Sequence, residues 1–179
     1  MTYNKIYLSI PKERIYVLLG EKGKIKEVIE KVLNVKINVL SNGDDVGSVI
    51  IEGNFNCSSI LKARDIVTAI GYGLNPDQAL KLVEDDYIAL FVSISDQAPT
   101  IKNLKRIKGR IIGENGKSKR NIEELTKTFI AVDDISNTVV IVGKYENVML
   151  ARDAIIKLIN GAEHGSVYKF IKRKAYTLM

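Results

Sequence analysis

The chain has 179 residues, 46% of them hydrophobic and 27% charged, a composition typical of globular proteins that excludes a disordered chain. No apolar run approaches the roughly 20 residues of a membrane helix, no secretory signal is recognisable, and the single Cys57 excludes an internal disulfide. We therefore expect a cytoplasmic protein without membrane contact. The net charge of +6 favours an anionic partner only mildly, since a solvated basic surface gives the same value.

The first half of the chain predicts an α+β unit built around a glycine turn. Alternating apolar and polar residues predict strands, and apolar residues at helical spacing predict a helix after the turn. The residues expected on the inward face of that helix are Ile25, Val28, Ile29, Val32 and Leu33. The predicted order is strand 5–10, helix 12–19, turn 20–23, helix 24–33, strands 35–40 and 46–52, and a helix, capped by Asn56 or Ser58, that Gly71 stops.

A short capped helix is predicted where the two halves meet. Asn75 is suited to the N-cap position and Pro76 to the first helical position. The segment is apolar and not rich in glycine or serine, so we expect a packed connection there.

The second half of the chain repeats the order of the first. A strand over 87–94 and a helix within 100–112 precede a turn at 113–116. They are followed by a helix over 117–126, strands over 128–132 and 138–142, and a helix through 159. Residues 163–174 fall outside the repeat and are expected to form a short helix.

The strongest feature of the sequence is this duplication. Both halves contain a G-x-x-G motif, at Gly20–Gly23 and at Gly113–Gly116, and the two copies lie 93 residues apart. The glycines that close the two predicted hairpins, Gly53 and Gly143, keep a similar offset of 90 residues. The sequence therefore predicts a duplicated domain, with boundaries at 1–84 and 85–179.

Positive charge concentrates around the second motif. Residues 85–179 carry 16 Lys and Arg against 11 Asp and Glu, whereas residues 1–84 carry 11 against 10. Two close glycines let a backbone pass tightly over another chain. The surrounding cations indicate that this other chain is a polyanion. The competing interpretation is a glycine turn beside a solvated helix face.

The elements of the predicted unit follow the order β-α-GxxG-α-β-β-α, and its second copy contains Ile111-Ile112-Gly113 followed by Gly116-Lys117. This unit resembles the type I KH domain. The resemblance covers nearly the whole chain twice. It implies an α+β fold of two type I KH domains in tandem, each with a three-stranded antiparallel sheet packed on three helices. KH domains clamp about four nucleotides of a single strand at the GxxG loop.

Three stretches narrow the resemblance to archaeal tandem-KH proteins related to the Partner-of-Nob family: residues 71–80, 109–125 and 161–168. That family implies a non-enzymatic RNA-binding factor in small ribosomal subunit assembly and pre-rRNA processing. The implied partners are single-stranded RNA in the 3′ region of the small-subunit rRNA, the Nob endonuclease and translation initiation factor two.

The resemblance and the local charge together predict the residues that contact RNA. The glycines would let the backbone approach a sugar-phosphate run, and the cations would contact phosphate without reading bases. The predicted RNA-binding residues are Gly20, Lys22, Gly23, Lys24, Lys108, Arg110, Gly113, Asn115, Gly116, Lys117, Lys119 and Arg120. Ile130 is expected either to face bases or to lie in the core. The sequence departs from the usual basic loop, because Glu21 and Glu114 place an acid inside both motifs.

Two other functions stay open. The near-neutral first half also suits a protein-interaction scaffold, and a translation-initiation-associated RNA binder is a further alternative. Catalysis finds little support, since one Cys and the single His164 provide no nucleophile-base set and too few ligands for zinc. We expect no cofactor and no metal, although the pairs Asp44-Asp45, Asp85-Asp86 and Asp133-Asp134 keep a metal-dependent nuclease in view.

Overall fold

The computed structural model describes residues 4–40, 46–53, 57–97 and 100–177. The chain divides into two compact units, Met1–Asp85 and Asp86–Met179. The turn expected between the strands of the first hairpin and the cap expected at Asn56 lie outside the described residues. The alternative cap, Ser58, lies inside the helix Cys57–Gly71, so that prediction was wrong.

The first unit is an α+β unit with one antiparallel sheet. The strands pair in the order β1-β3-β2, so β3 is central and β2 lies at an edge. The predicted order of elements is confirmed. The elements are β1 (Asn4–Pro11), α1 (Lys12–Leu19), α2 (Lys24–Leu33), β2 (Val35–Leu40), β3 (Val46–Gly53), α3 (Cys57–Gly71) and α4 (Pro76–Ala79).

The core of the first unit lies between one face of this sheet and the helices. Ile51 in β3 is fully buried, and alternation along the strand places every second residue on that face. On α2, Ile29 and Leu33 are buried, but Val28 is 42% exposed and Val32 is 53% exposed. The prediction that these two valines face inward was wrong. The apolar stripe of α2 is wider than the surface the sheet covers.

The predicted helix between the halves is confirmed in a shorter form. The Asn75 Oδ1 accepts a hydrogen bond of 2.9 Å from the Asp77 backbone N–H, as an N-cap does, and Pro76 is the first residue of α4. After Ala79 the chain continues as a 3-10 helix over Leu80–Val83.

The second unit repeats the architecture and ends in a long helix where the first unit ends in the short α4. Its sheet is antiparallel in the order β4-β6-β5, so β5 occupies the edge position that β2 has in the first unit. The elements are β4 (Tyr87–Ser93), α5 (Ile101–Ile112), α6 (Lys117–Thr126), β5 (Phe129–Val132), β6 (Thr138–Lys144), α7 (Tyr145–Ile159) and α8 (His164–Thr177).

Helix α8 is part of the folded second unit. It spans 14 residues, longer than the short helix expected from the sequence. Val167 and Ile171, four residues apart on one face, are fully buried in the core cluster of the unit. The helix packs against α6 and α7 through this face, so the C-terminal segment stabilises the helix that follows the second glycine motif.

Candidate nucleic-acid interface

Each unit carries a tight loop between its first two helices, and the first glycine of each loop has a backbone conformation that other residues rarely adopt. Gly20 has φ 67° and ψ −173°, and Gly113 has φ 73° and ψ 174°. A Cβ added at Gly113 would lie 2.6 Å from the Ser118 Cβ and 2.7 Å from the Ser118 backbone nitrogen. At Gly20 it would lie 2.5 Å from the Ile25 Cγ1. The turn therefore requires glycine at both positions.

The rest of the two loops has the same backbone as well. The third residue is left-handed in both, at φ 54° for Lys22 and 51° for Asn115, and the closing glycines, Gly23 and Gly116, have φ 82° and 77°. Asparagine tolerates this region better than lysine does. The two loops are thus one backbone design with different side chains.

Cations surround the second loop. Asn115 is exposed at its tip, and Lys117 is exposed as the first residue of α6. The Arg120 Nη1 lies 3.5 Å from the position that a Cβ on Gly116 would take, so its guanidinium lies beside the loop. The first turn of α6 also directs backbone N–H groups and the positive end of the helix dipole outward. This arrangement suits an anion such as a phosphate.

The first loop offers the same backbone with fewer cations. Lys22 is exposed at its tip and Lys24 is exposed as the first residue of α2. The acidic residues Glu21 and Glu114 are exposed in the respective loops. Neither acid has a side-chain partner among the described hydrogen bonds and ion pairs, so each adds negative charge next to any bound phosphate.

The Arg110 side chain has a structural role. It donates from Nε to the Leu158 carbonyl at 3.3 Å and from Nη2 to the Ala162 carbonyl at 2.6 Å, at the end of α7. The His164 Nε2 lies 2.8 Å from the Arg110 carbonyl oxygen. Arg110 therefore ties α5 to the start of α8, and the phosphate contact expected from the sequence would have to use its remaining donors.

The first unit contains the same kind of tie at another position of its helix. The Arg14 Nε donates to the Ile70 carbonyl and its Nη2 to the Leu74 carbonyl, both at 2.8 Å. Arg14 precedes Gly20 by six residues, whereas Arg110 precedes Gly113 by three. A guanidinium on one face of the leading helix thus caps the closing helix in both units.

Lys108 is directed to the turn between β5 and β6. Its Nζ donates to the Asp134 carbonyl at 2.9 Å and to the Asp134 Oδ1 at 3.1 Å. The Lys108 side chain is 12% exposed and that of Asp134 is 85% exposed. An ion pair this open to solvent contributes about 0–1 kcal/mol, so it can rearrange when an anion approaches.

Lys119 belongs to a cluster on the edge strand, which we call the edge cluster: the side chains of Lys119 and Glu123 and the backbone of Ile130. The Lys119 Nζ lies 3.0 Å from the Glu123 Oε1 and 2.7 Å from the Ile130 carbonyl oxygen. The Glu123 Oε1 accepts a 2.7 Å hydrogen bond from the Ile130 N–H. The Ile130 side chain is 1% exposed and lies in the core, which decides between its two expected roles.

The edge cluster was not predicted from the sequence, although the repeat of its residues in the first half could have indicated it. In the first unit the Glu30 Oε1 accepts a 2.7 Å hydrogen bond from the Ile37 N–H, and Lys26 pairs with Glu30. Lys26, Glu30 and Ile37 precede Lys119, Glu123 and Ile130 by 93 residues each, the offset of the glycine motifs. Lysine and glutamate recur at the repeat offset, and this recurrence indicates the same contact with the edge strand in both units.

A groove of about 800 Å³ runs between α1 and the edge strand β2 of the first unit. Tyr16 stands at this groove and is 68% exposed. Most of the groove wall is apolar. The lining residues are Lys12, Ile15, Tyr16, Leu19, Gly23, Lys26, Ile37, Asn38, Val39, Leu40 and Ile50.

Two kinds of feature are absent from the described part of the chain. It contains no group of three or more His, Cys, Asp or Glu side chains placed to hold a metal ion. None of its helices combines the length and apolarity that crossing a bilayer requires.

Residues 91–176 match a family model described as the eukaryotic-type KH domain, KH-domain type I. Over 170 residues the chain is 45% identical to the KH domain-containing protein MJ0443 of Methanocaldococcus jannaschii, which covers 93% of this chain and 72% of that protein. It is 33% identical over 163 residues to the RNA-binding protein pno1 of Dictyostelium discoideum, covering 90% of this chain and 67% of that protein.

A solved structure extends the similarity to three dimensions. A chain in the crystal structure of the a/eIF2alpha-aDim2p-rRNA complex from Pyrococcus horikoshii OT3 has a TM-score of 0.86 and 34% sequence identity with this chain. The match covers 98% of this chain and 96% of that chain. The similarity therefore includes both units.

Proposed function

This chain belongs to the pno1/Dim2p family of KH-domain proteins, and on that premise we propose that it binds single-stranded RNA as a non-enzymatic factor in small ribosomal subunit assembly and pre-rRNA processing. The observation that carries the proposal is the second glycine loop, held at the start of α6 between exposed cations inside the segment that matches a type I KH domain. The loop amides and the cations would hold consecutive phosphates of one strand.

We propose that the first unit is a second KH domain. It has the same order of elements, the same sheet order and the same loop backbone as the second unit. Gly20, Lys22, Gly23 and Lys24 would form its contact with RNA. With a net charge of +1 in residues 1–84, this contact would be the weaker one.

In the second unit the proposed RNA contacts differ in strength. Exposure beside the loop favours Asn115, Lys117 and Arg120, together with the backbone of Gly113 and Gly116. Lys108 and Lys119 would contribute while retaining or exchanging their internal partners. Arg110 would contribute least, because two of its donors hold α7 and Ala162.

The proposed partners follow from the family. They are the 3′ region of the small-subunit rRNA, the Nob endonuclease and translation initiation factor two, and the protein would work in the cytoplasm. The solved complex that contains aDim2p, a/eIF2alpha and rRNA supports rRNA and translation initiation factor two as partners. The RNA cleavage itself would then be done by the partner endonuclease.

A second function is favoured by the groove of the first unit. Its mostly apolar wall, the exposed Tyr16 and the near-neutral charge suit a protein segment better than a polyanion. Under this alternative the first unit binds translation initiation factor two while the second binds RNA. Tyr16→Asp would then abolish binding of the purified factor and leave RNA affinity unchanged, as measured by calorimetry and fluorescence anisotropy.

Crosslinking to RNA in the native cell extract, followed by sequencing of the bound sites, tests the proposed function. We expect the crosslinks to concentrate in the 3′ region of small-subunit rRNA precursors. Binding of the purified chain to a single-stranded oligonucleotide should weaken with salt, because each neutralised phosphate makes the slope of log K (association) against log salt more negative by about 0.7. Crosslinks spread evenly over cellular RNA, or binding insensitive to salt, would refute the proposal.

A further inference from the structure

On the edge of strand β5 that faces away from β6, charged side chains bind the backbone groups of Ile130. In an antiparallel ladder, alternate residues direct their N–H and C=O away from the partner strand. Ile130 does so, and both of its backbone groups are occupied by α6, the N–H by Glu123 and the C=O by Lys119. A molecule that reaches this point of the strand meets the edge cluster before it meets free backbone.

In the first unit, the residues equivalent to Lys119 and Ile130 lie on the wall of a groove. Lys26 and Ile37, which precede Lys119 and Ile130 by the repeat offset, both line the groove between α1 and β2. From the repeat offset we infer that Lys119 occupies the equivalent place in the second unit. Lys119 lies in the first turn of α6, directly after the GxxG loop, where the proposed function places the RNA strand.

Among the described residues, the Lys119 ammonium has partners for two of its three N–H groups. An ammonium carries three N–H groups. One is directed at the Glu123 Oε1 and one at the Ile130 carbonyl, so tetrahedral geometry directs the third away from both. The side chain is 32% exposed, and two bonds fix its position, so this donor has a defined direction without a large loss of side-chain entropy on binding.

We propose that Lys119 is a specificity-determining residue that selects a keto base, guanine or uracil, over an amino base, adenine or cytosine, at one nucleotide of the bound strand. Guanine O6 and uracil O4 accept a hydrogen bond, whereas adenine and cytosine present amino donors at the same positions. A fixed cationic donor attracts the former and repels the latter. This inference rests on the proposed function of the second unit as an RNA-binding domain.

A purely structural role makes a different prediction. Edge strands need cover against pairing with other chains, and the edge cluster provides such cover whether or not RNA binds. In that case replacing Lys119 would change stability, and all RNA sequences would be affected alike. Base preference therefore separates the two roles.

The test compares the affinities of the full chain for four ten-nucleotide single strands: oligouridine, oligocytidine, oligoinosine and oligoadenosine. Uracil and cytosine differ at the 4-position as keto and amino groups, and hypoxanthine and adenine differ in the same way at the 6-position. We expect the wild type to bind each keto strand about tenfold more tightly than its amino counterpart, the lower end of the effect of one hydrogen bond to a charged donor.

Lys119→Met should bring both ratios to about one, while Lys119→Arg, which keeps a cationic donor, should retain the preference. Lys172→Met removes one exposed charge from α8 of the same unit and should weaken all four strands equally. Ratios unchanged in Lys119→Met, or no keto preference in the wild type, would overturn this inference and leave the proposed function standing. A wild type that binds none of the strands would refute the proposed function itself.

Discussion

The two glycine loops have the same backbone conformation but different surrounding side chains. The loop dihedral angles of the two units agree closely, and the edge clusters recur at the same offset. The surroundings differ. Tyr16 stands at the groove of the first unit, whereas the residue 93 positions later is Gly109, at which an added Cβ would meet nothing within 4 Å among the described residues. The first half of the chain has a net charge of +1 and the second +5.

Features common to both units are assigned to the fold, and features that differ between the units are assigned to recognition. Both units share the loop glycines, the arginine ties and the glutamate that accepts from the edge-strand N–H. These shared features support the fold of the loop region. Two equivalent positions differ in residue type: Tyr16 corresponds to Gly109, and Glu27 corresponds to Arg120. Under the proposed function, these differences determine what each loop region binds. The second unit is therefore the main site for a polyanion under the proposed function.

Replacing the first glycine of each loop should give the largest effect. Gly113→Ala forces a side chain into a conformation near φ 73° and ψ 174° and against the Ser118 backbone, so we expect a loss of about 2–4 kcal/mol in the free energy of unfolding. Gly20→Ala meets the Ile25 side chain, which can shift, and should cost less. Hydrogen exchange, followed peptide by peptide, assigns each loss to its unit. Wild-type protection in Gly113→Ala would contradict the shared design of the loops.

Truncating the arginine ties should give the next largest effect. Arg110→Ala and Arg14→Ala each leave two helix-end carbonyls without a charged donor, so each should destabilise its own unit by about 1–3 kcal/mol. Because the Arg110 guanidinium faces α7, RNA affinity at a temperature where the variant is folded should fall by no more than about twofold. A tenfold loss of affinity with unchanged stability would instead support the phosphate contact expected from the sequence.

Removing the acid that pairs with Lys108 should give the smallest effect. Asp134→Ala removes the carboxylate partner of Lys108 but keeps the backbone carbonyl that accepts from it. The substitution deletes a negative charge beside the proposed strand, so RNA affinity should rise about twofold. Asp153→Ala removes one exposed acid from α7 and serves as a charge-matched control. Equal gains for the two variants, measured by fluorescence anisotropy, would show that only net charge matters.

Much of the fold was predictable because local signals agreed with one another. The G-x-x-G spacing, the alternating strands and the cap at Asn75 indicate the same elements in both halves, and the repeat offset excludes chance agreement. Val28 and Val32 show where prediction from helical periodicity fails, because both are exposed. Helical periodicity identifies an apolar stripe, but the width of the surface that covers it depends on how the helix is seated on the sheet.

The site was less predictable because charge alone does not reveal the partners of a side chain. Lys108, Arg110 and Lys119 were grouped with Lys117 and Arg120 as phosphate contacts from their proximity in sequence. Their partners Asp134, Ala162 and Ile130 lie 11 to 52 residues away along the chain, so only the tertiary structure brings them together. For the exposed Lys117 and Arg120, the phosphate contact stays a prediction.

The most direct test of the central claim compares matched loop variants. Asn115→Asp with Lys117→Asp alters the second loop, and Lys22→Asp with Lys24→Asp alters the equivalent positions of the first. Affinity for a single-stranded oligouridine is measured by fluorescence anisotropy at fixed salt. We expect the second-loop variant to lose affinity about tenfold or more and the first-loop variant about threefold or less, although the latter removes more positive charge. Equal losses, or a larger loss for the first loop, would contradict the claim that the second loop is the main RNA site.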